Sequence, residues 1–277
     1  SFFASAPLGC NHPKMDNPEF IRRIGEVALN KTTNSDCYTV EMAEFVDTFH
    51  RFAVPSHFKH LFFISGGSLA VENGLKTAFD WKVRKNIASG KSGQYGSKVI
   101  HFKDAFHGRT GYTLPMTNTF NLNKTKYFPI LDWPRITNPK ITFPLDDKNL
   151  ERVKKLEKMA IDQIEEAIER NPDDIAALII EPIQGEGGDN HFREEFFKKI
   201  RKICDENDII FMLDEVQSGL GLTGKMWAYE HFDIKPDIIA FGKKTQICGI
   251  MVNDRIDEVK DNVFNVSSRL NSTWGGN

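Results

Sequence analysis

Five short apolar runs in this 277-residue chain each end in residues able to do chemistry. After residues 61–64 come Ser65, Gly66, Gly67 and Ser68. Small residues at such a turn let backbone N–H groups approach an anion where a helix begins, and the helix dipole favours the negative charge. After 99–102 come Asp104, Phe106, His107 and Arg109, and after 175–180 come Glu181, Gln184, Gly185 and Glu186. After 209–213 come Asp214, Glu215, Val216 and Gln217, and after 238–241 come Gly242, Lys243 and Lys244. An arginine can grip a carboxylate through two parallel hydrogen bonds. A carboxylate at the end of a buried strand can hold a ring nitrogen protonated. A lysine that is desolvated, or beside a second cation, titrates lower and attacks carbonyl carbons better.

These groups need a scaffold that brings five strand ends together. Apolar periodicity predicts helices over 18–30, 40–53, the stretch after Ser68 (Val71, Leu75, Ala78, Phe79), 150–170 (Val153, Leu156, Ala160, Ile164, Ala167), 192–207 and, briefly, 226–232. Strands are expected over 61–64, 98–102, 175–180, 209–213 and 237–241. Residues 114–147 hold several prolines and little periodicity, and read as a long surface or active-site loop. Strands of five or six apolar residues alternating with helices imply an α/β fold: a mostly parallel central sheet with helices on both faces. Ligands of such sheets bind outside the carboxyl ends of the strands, which is where all five groups fall.

Each group alone has a plainer explanation. A Gly-Gly turn before a helix is common, Asp214 alone is a strand-end acid, and Lys243-Lys244 alone is a solvated turn. In combination they form the inventory of a pyridoxal 5'-phosphate (PLP) site. Asp214 is expected to partner the pyridine nitrogen and Gln217 the ring's phenolic oxygen. Phe106 and Val216 are expected against the ring faces, and a lysine of the Lys243-Lys244 pair, the first directly after the strand and glycine, to form the Schiff base.

Other patterns fail on context. Gly219, Gly221 and Gly224 match a dinucleotide fingerprint, but the match begins five residues past its strand and reads as a turn. Gly90-Lys91-Ser92 lacks the first glycine of a phosphate-binding loop, since Lys85 stands there. The eight histidines show no metal-ligand spacing, so no metal is expected. The four cysteines (Cys10, Cys37, Cys204, Cys248) form no close pair and read as buried free thiols of a reducing, cytoplasmic compartment. Asn-x-Ser/Thr triplets at Asn30, Asn123, Asn265 and Asn271 read as chance. With 36 basic against 38 acidic residues, a generally basic nucleic-acid binder is excluded. No apolar run approaches the ~18 residues of a membrane span.

Asp214-Glu215-Val216-Gln217-Ser218-Gly219, then Gly224, Pro236-Asp237 and Gly242-Lys243, resembles the signature of class III PLP-dependent aminotransferases of fold type I. Residues 105–113, 132–135, 181–189, 241–248 and 268–277 look narrower still, similar to the lysine 6-aminotransferase branch. The resemblance implies transfer of the ε-amino group of L-lysine to 2-oxoglutarate, giving 2-aminoadipate 6-semialdehyde and glutamate. It implies that Lys243 is the Schiff-base lysine and proton shuttle, with Asp214 and Gln217 in the roles given above. Gly67 and Ser68 match the phosphate turn, Phe106 the stacking aromatic, and Glu181 belongs to the cofactor's surroundings. Thr273, with Asn271, matches a loop that reaches the site across a homodimer interface. Arg109 matches the arginine for the substrate's distal carboxylate. Glu186 matches a switch carboxylate that covers a second arginine while the donor is bound. In the wider class an acidic residue often follows the phosphate-turn Ser or Thr, where this chain has Leu69.

The chain begins Ser1-Phe2-Phe3 and stops at Asn277. Against the family pattern, an N-terminal segment and a C-terminal small domain are missing. The expectation is that residues 1–277 are a fragment forming the large PLP-binding domain. Another ω-amine enzyme of the class, acting on ornithine, acetylornithine or 4-aminobutyrate, stays open as an alternative. So does a truncated chain that only binds cofactor.

Overall fold

The computed structural model describes residues 17–29, 32, 33 and 36–276. Cys10, Asn30 and Asn277 lie outside them. The elements run α1 (Pro18–Ala28), α2 (Val40–Ala53), β1 (Phe58–Ile64), α3 (Gly67–Ala88), β2 (Lys98–Phe102), β3 (Arg135–Ile136), α4 (Asp147–Arg170), β4 (Ile175–Ile180), α5 (Glu194–Glu206), β5 (Ile210–Asp214), β6 (Ile238–Phe241) and β7 (Cys248–Asn253). The strands form one sheet in the order β1-β7-β6-β5-β4-β2-β3. β7 runs antiparallel to both β1 and β6, and the remaining pairs are parallel. The expected mostly parallel α/β sheet is therefore present, with one reversed strand.

Alternation within the strands sends side chains to two apolar layers. Ile210 and Met212 of β5, with Ile238 and Ala240 of β6, pack with Ala70, Val71, Leu75, Ala78 and Trp81 of α3. Phe211, Leu213, Ile239 and Phe241 point the other way, among residues of α2, α4 and α5. Helix α3 sits close on the sheet because Gly74 leaves no room for a Cβ beside Met212, whose Cε would lie 2.5 Å away. At its far end Trp81 donates to the carbonyl of Arg255 at 3.1 Å. β4 is buried along its whole length, as a central parallel strand must be.

The register sets the site. Ile180 of β4 pairs with Leu213 of β5, and Asp214 pairs with Ala240 of β6. Glu181, Asp214 and Gly242-Lys243 consequently emerge along one edge of the sheet.

Several expectations need correcting. β7 was not foreseen: it returns through a tight turn at Lys243–Thr245 that carries no hairpin dipeptide, and slots between β6 and β1. β1 begins at Phe58 rather than 61, and α4 begins at Asp147, where Asp146 caps it by accepting from the Asn149 N–H. Within α4 it is Glu157, not Leu156, that joins the buried stripe, because Arg193 donates two hydrogen bonds to its carboxylate at 2.8 and 3.0 Å. The 226–232 helix is a short 3-10 turn, Ala228–His231. Part of the 114–147 loop is structured, since Met116 and Ile136 are buried and β3 extends the sheet. Cys204 and Cys248 are buried thiols, but Cys37 is exposed. Helix α1 has the expected apolar face, yet Phe20, Ile21, Ile24 and Val27 on it remain exposed. No helix among the described residues is long and apolar enough to cross a membrane.

Candidate active site

A cleft of about 590 Å³ opens at the carboxyl ends of the strands. Gly67, Ser68, Phe106, Arg109, Glu181, Asp214, Val216, Gln217 and Lys243 all line it, so nine of the expected residues are brought together.

One wall is the start of α3. Gly66 takes φ +99°, a left-handed value that glycine adopts without strain, and no side chain caps the helix N-terminus behind it. A Cβ on Gly67 would sit 2.7 Å from Val216 Cγ1, so this helix end can approach the Asp214 turn only as glycine. Uncapped N–H groups at a helix start suit an anion. Ser68 differs from a simple anion ligand. Its hydroxyl lies 2.8 Å from Thr110 Oγ1 and 2.7 Å from Thr113 Oγ1, and it accepts from the N–H groups of Arg109 and Thr110. The side chain thus holds the 108–113 loop against α3, leaving the Ser68 backbone to face an anion. Gly108 fits beneath it because a Cβ there would meet Ser68 Oγ at 2.1 Å.

The floor is acidic. Asp214 ends β5, is 6% exposed, and accepts from the Val216 N–H at 3.1 Å. His107 Nδ1 lies 2.8 Å from Asp214 Oδ2. An ionised Asp214 requires the proton on that nitrogen, which makes His107 the donor. His107 Nε2 is buried with no hydrogen-bond partner among the described residues. Burial, with Asp214 nearby, pushes Glu181 well above the usual carboxylate range, against the N–H donors of Phe106 and Gly185. Burial and the Asp214 carboxylate thus both disfavour a charged Glu181.

The two lysines part company. Lys243 lines the cleft and donates to Gln217 Oε1 at 2.8 Å. Its φ of +52° is a strained conformation for a lysine, of a kind that gathers at functional sites. Lys244 is buried, and its ammonium donates to the Gln217 carbonyl at 2.6 Å. Gln217 is also confined from the other side, since a Cβ on Gly185 would lie 2.3 Å from Gln217 Nε2.

Three expected residues do not line this cleft. Glu186 is exposed and ion-paired with Lys124, whose ammonium also lies 5.3 Å from the centre of the Phe106 ring. Asn271 and Thr273 are both exposed, in the 268–276 segment. The cleft also contains Gly66 and His107, which stand at the expected strand ends without an assigned role, and Gly108, Thr110, Gln246 and Cys248, which the sequence did not point to. The sequence places His107 beside Phe106 but does not show its contact with Asp214. Cys248 could not be placed there, because it enters on the unforeseen β7.

The residues fit a flat, phosphorylated heterocycle carrying a reactive carbonyl. The uncapped helix start could take the anion, Asp214 could hold a protonated ring nitrogen, and Lys243 could reach the carbonyl carbon. The α/β fold with this strand-end cleft defines the chain's class: over residues 1–277 it matches the aminotransferase class-III family, and it belongs to that family. Within it, the chain is 54% identical over 278 aligned positions to the L-lysine-epsilon aminotransferase of Mycobacterium tuberculosis, covering all of this chain and 61% of that protein. It is 48% identical to the enzyme of the same name from Streptomyces clavuligerus, covering 60% of it. A solved structure of lysine aminotransferase from M. tuberculosis superposes with a TM-score of 0.94 at 54% identity, covering all of this chain and 63% of that one. The chain thus spans about three fifths of the length of the relatives it matches.

Proposed function

We propose that this chain is the large, cofactor-binding part of a PLP-dependent aminotransferase that moves the ε-amino group of L-lysine to 2-oxoglutarate. One observation carries the reading: a chain 54% identical throughout to a lysine-epsilon aminotransferase brings Lys243, Gln217 and Asp214 into one cleft beside an uncapped helix start.

Pyridoxal phosphate, when bound, supplies an electron sink for the bond broken at the substrate's amino-bearing carbon. The chain's own groups do the rest. The N–H groups of Gly67 and Ser68 hold the phosphate, and Asp214, oriented by His107, holds a proton at the ring nitrogen. Phe106 and Val216 flank the ring, and Gln217 donates to its phenolic oxygen. Glu181, kept neutral by burial, adds no second negative charge beside Asp214. Lys243 Nζ holds the cofactor and then carries the proton to and from the substrate carbon. Arg109, exposed at the mouth, takes the substrate's carboxylate, as a planar guanidinium does well.

Glu186, Asn271 and Thr273 complete the site through neighbouring parts of the assembly. We assign Glu186 to exchange between donor and acceptor binding, and Asn271 and Thr273 to the partner's site in a homodimer. The exposed apolar face of α1 supports such a dimer. A cytoplasmic location suits the free thiols.

The test is a visible spectrum of the purified protein with added PLP, followed by borohydride reduction and peptide mapping. A yellow band and a label on Lys243 are expected, as is faster turnover with lysine than with ornithine or 4-aminobutyrate. A label elsewhere overturns the site. Preference for another amine overturns the donor.

A further inference from the structure

Two adjacent lysines follow β6 after Gly242, and only the first lines the cleft. The second sits in a costly place. Lys244 is 5% exposed, and burying an ammonium costs several kcal/mol unless partners offset it. Burial and the neighbouring Lys243 push its pKa down to about 8, while Glu215 works the other way. Glu215 is itself engaged elsewhere: its carboxylate accepts from the Ser218 hydroxyl and the N–H groups of Ala228 and Tyr229. Lys244 has a specific attachment in this buried place. Its ammonium donates to the main-chain carbonyl of Gln217, at 2.6 Å.

Gln217 is thereby held at three points. Lys244 holds its backbone, Lys243 donates to its amide oxygen, and Gly185 closes the space beside its amide nitrogen. The two lysines grip opposite ends of one residue, which couples their positions. The charged and titratable groups around the pair are Asp214 at the end of β5 and Glu215 just after it, Glu181 after β4, His107 and Arg109 after β2, and Cys248 on β7.

Resting on the cofactor reading given above, we propose that Lys244 is a positioning residue: it tethers the Gln217 backbone so that the Gln217 amide meets Lys243 in the cleft, and it sets a second positive charge on the residue that Lys243 contacts. A like charge beside an amine disfavours the protonated state, and this is a general way to ready a lysine for attack on a carbonyl.

The test measures the pH midpoint of the visible band of the PLP-loaded protein. Lys244→Met removes both charge and tether, and Lys244→Gln removes the charge but keeps a donor. Should the methionine variant fail to fold, the glutamine variant still gives the reading. Both are expected to raise the midpoint by about one pH unit, and Lys244→Arg to leave it near the parent's. A purely structural lysine would lower the thermal midpoint of the neutral variants without moving the band, and that result overturns the proposal. If the parent protein forms no band with PLP, the cofactor reading itself fails, and this inference with it. If the parent forms the band and the neutral variants titrate as it does, only the role of Lys244 fails.

Discussion

Gly185→Ala separates function from stability at this site. The added Cβ would lie 2.3 Å from Gln217 Nε2 and 2.5 Å from its Cδ. Carbon contacts settle near 3.5 Å, so the amide must retreat by about 1 Å. The Lys243 Nζ to Gln217 Oε1 distance is 2.8 Å, and a retreat of that size carries it to about 3.8 Å, beyond a hydrogen bond. A hydrogen bond from a charged donor contributes about 1.5–3 kcal/mol, or roughly tenfold to a hundredfold in an equilibrium or rate. The amide is the end of a flexible side chain, so the fold itself loses little, on the order of 1 kcal/mol. The variant should therefore melt within a few degrees of the parent. Its PLP affinity, by titration of the visible band, or its turnover should fall at least about tenfold. Gln217→Ala should show a similar loss, and the double variant should lose no more than Gln217→Ala alone, because both act through one contact. Full additivity in that cycle, or PLP binding and turnover both matching the parent in Gly185→Ala, would refute the reasoning.

Ser68→Ala should lower the urea midpoint by an amount equivalent to about 1–3 kcal/mol, because the hydroxyl binds Thr110 and Thr113 and accepts two N–H groups. Protease cleavage within residues 108–113 should quicken, and an unchanged cleavage pattern would sink that role. Glu215 has its pKa raised from 4.5 to about 7, mainly by burial. Its contribution to stability is complete below about 4.5 and is lost as pH rises through about 7. Thermal melts should therefore show the difference between Glu215→Gln and the parent moving in the variant's favour from pH 5 to pH 8, by on the order of 3 kcal/mol. A difference that does not change with pH removes Glu215 as the titrating group.

Much of the scaffold was legible because parallel strands buried on both faces must be continuous apolar runs. Residues 175–180 and 209–213 can be little else, and a buried strand shows where its carboxyl end lies. The acids and small residues at those ends then fall where such sheets bind ligands. The strand at 248–253 was less legible, since its turn is made by strained Lys243 and left-handed Gln246 rather than by a glycine or asparagine pair. Helix α4 shows the same limit at one residue. A glutamate in an apolar stripe reads as an exposed acid until its partner arrives, and Arg193 is 36 positions away in sequence.

By itself the sequence determined the fold class and most of the residues of the cleft, because apolar periodicity and strand-end chemistry are local properties of the chain. Only the tertiary structure buried Lys244 against the Gln217 carbonyl, while Lys243 faces the cleft as the family resemblance implies. It also paired His107 with Asp214 across 107 positions, and turned the Ser68 hydroxyl to its own loop. Those outcomes depend on sheet register, a reversed strand and the close approach allowed at Gly67 and Gly185. None of these is encoded in any one stretch of residues, because each arises only when distant segments pack together.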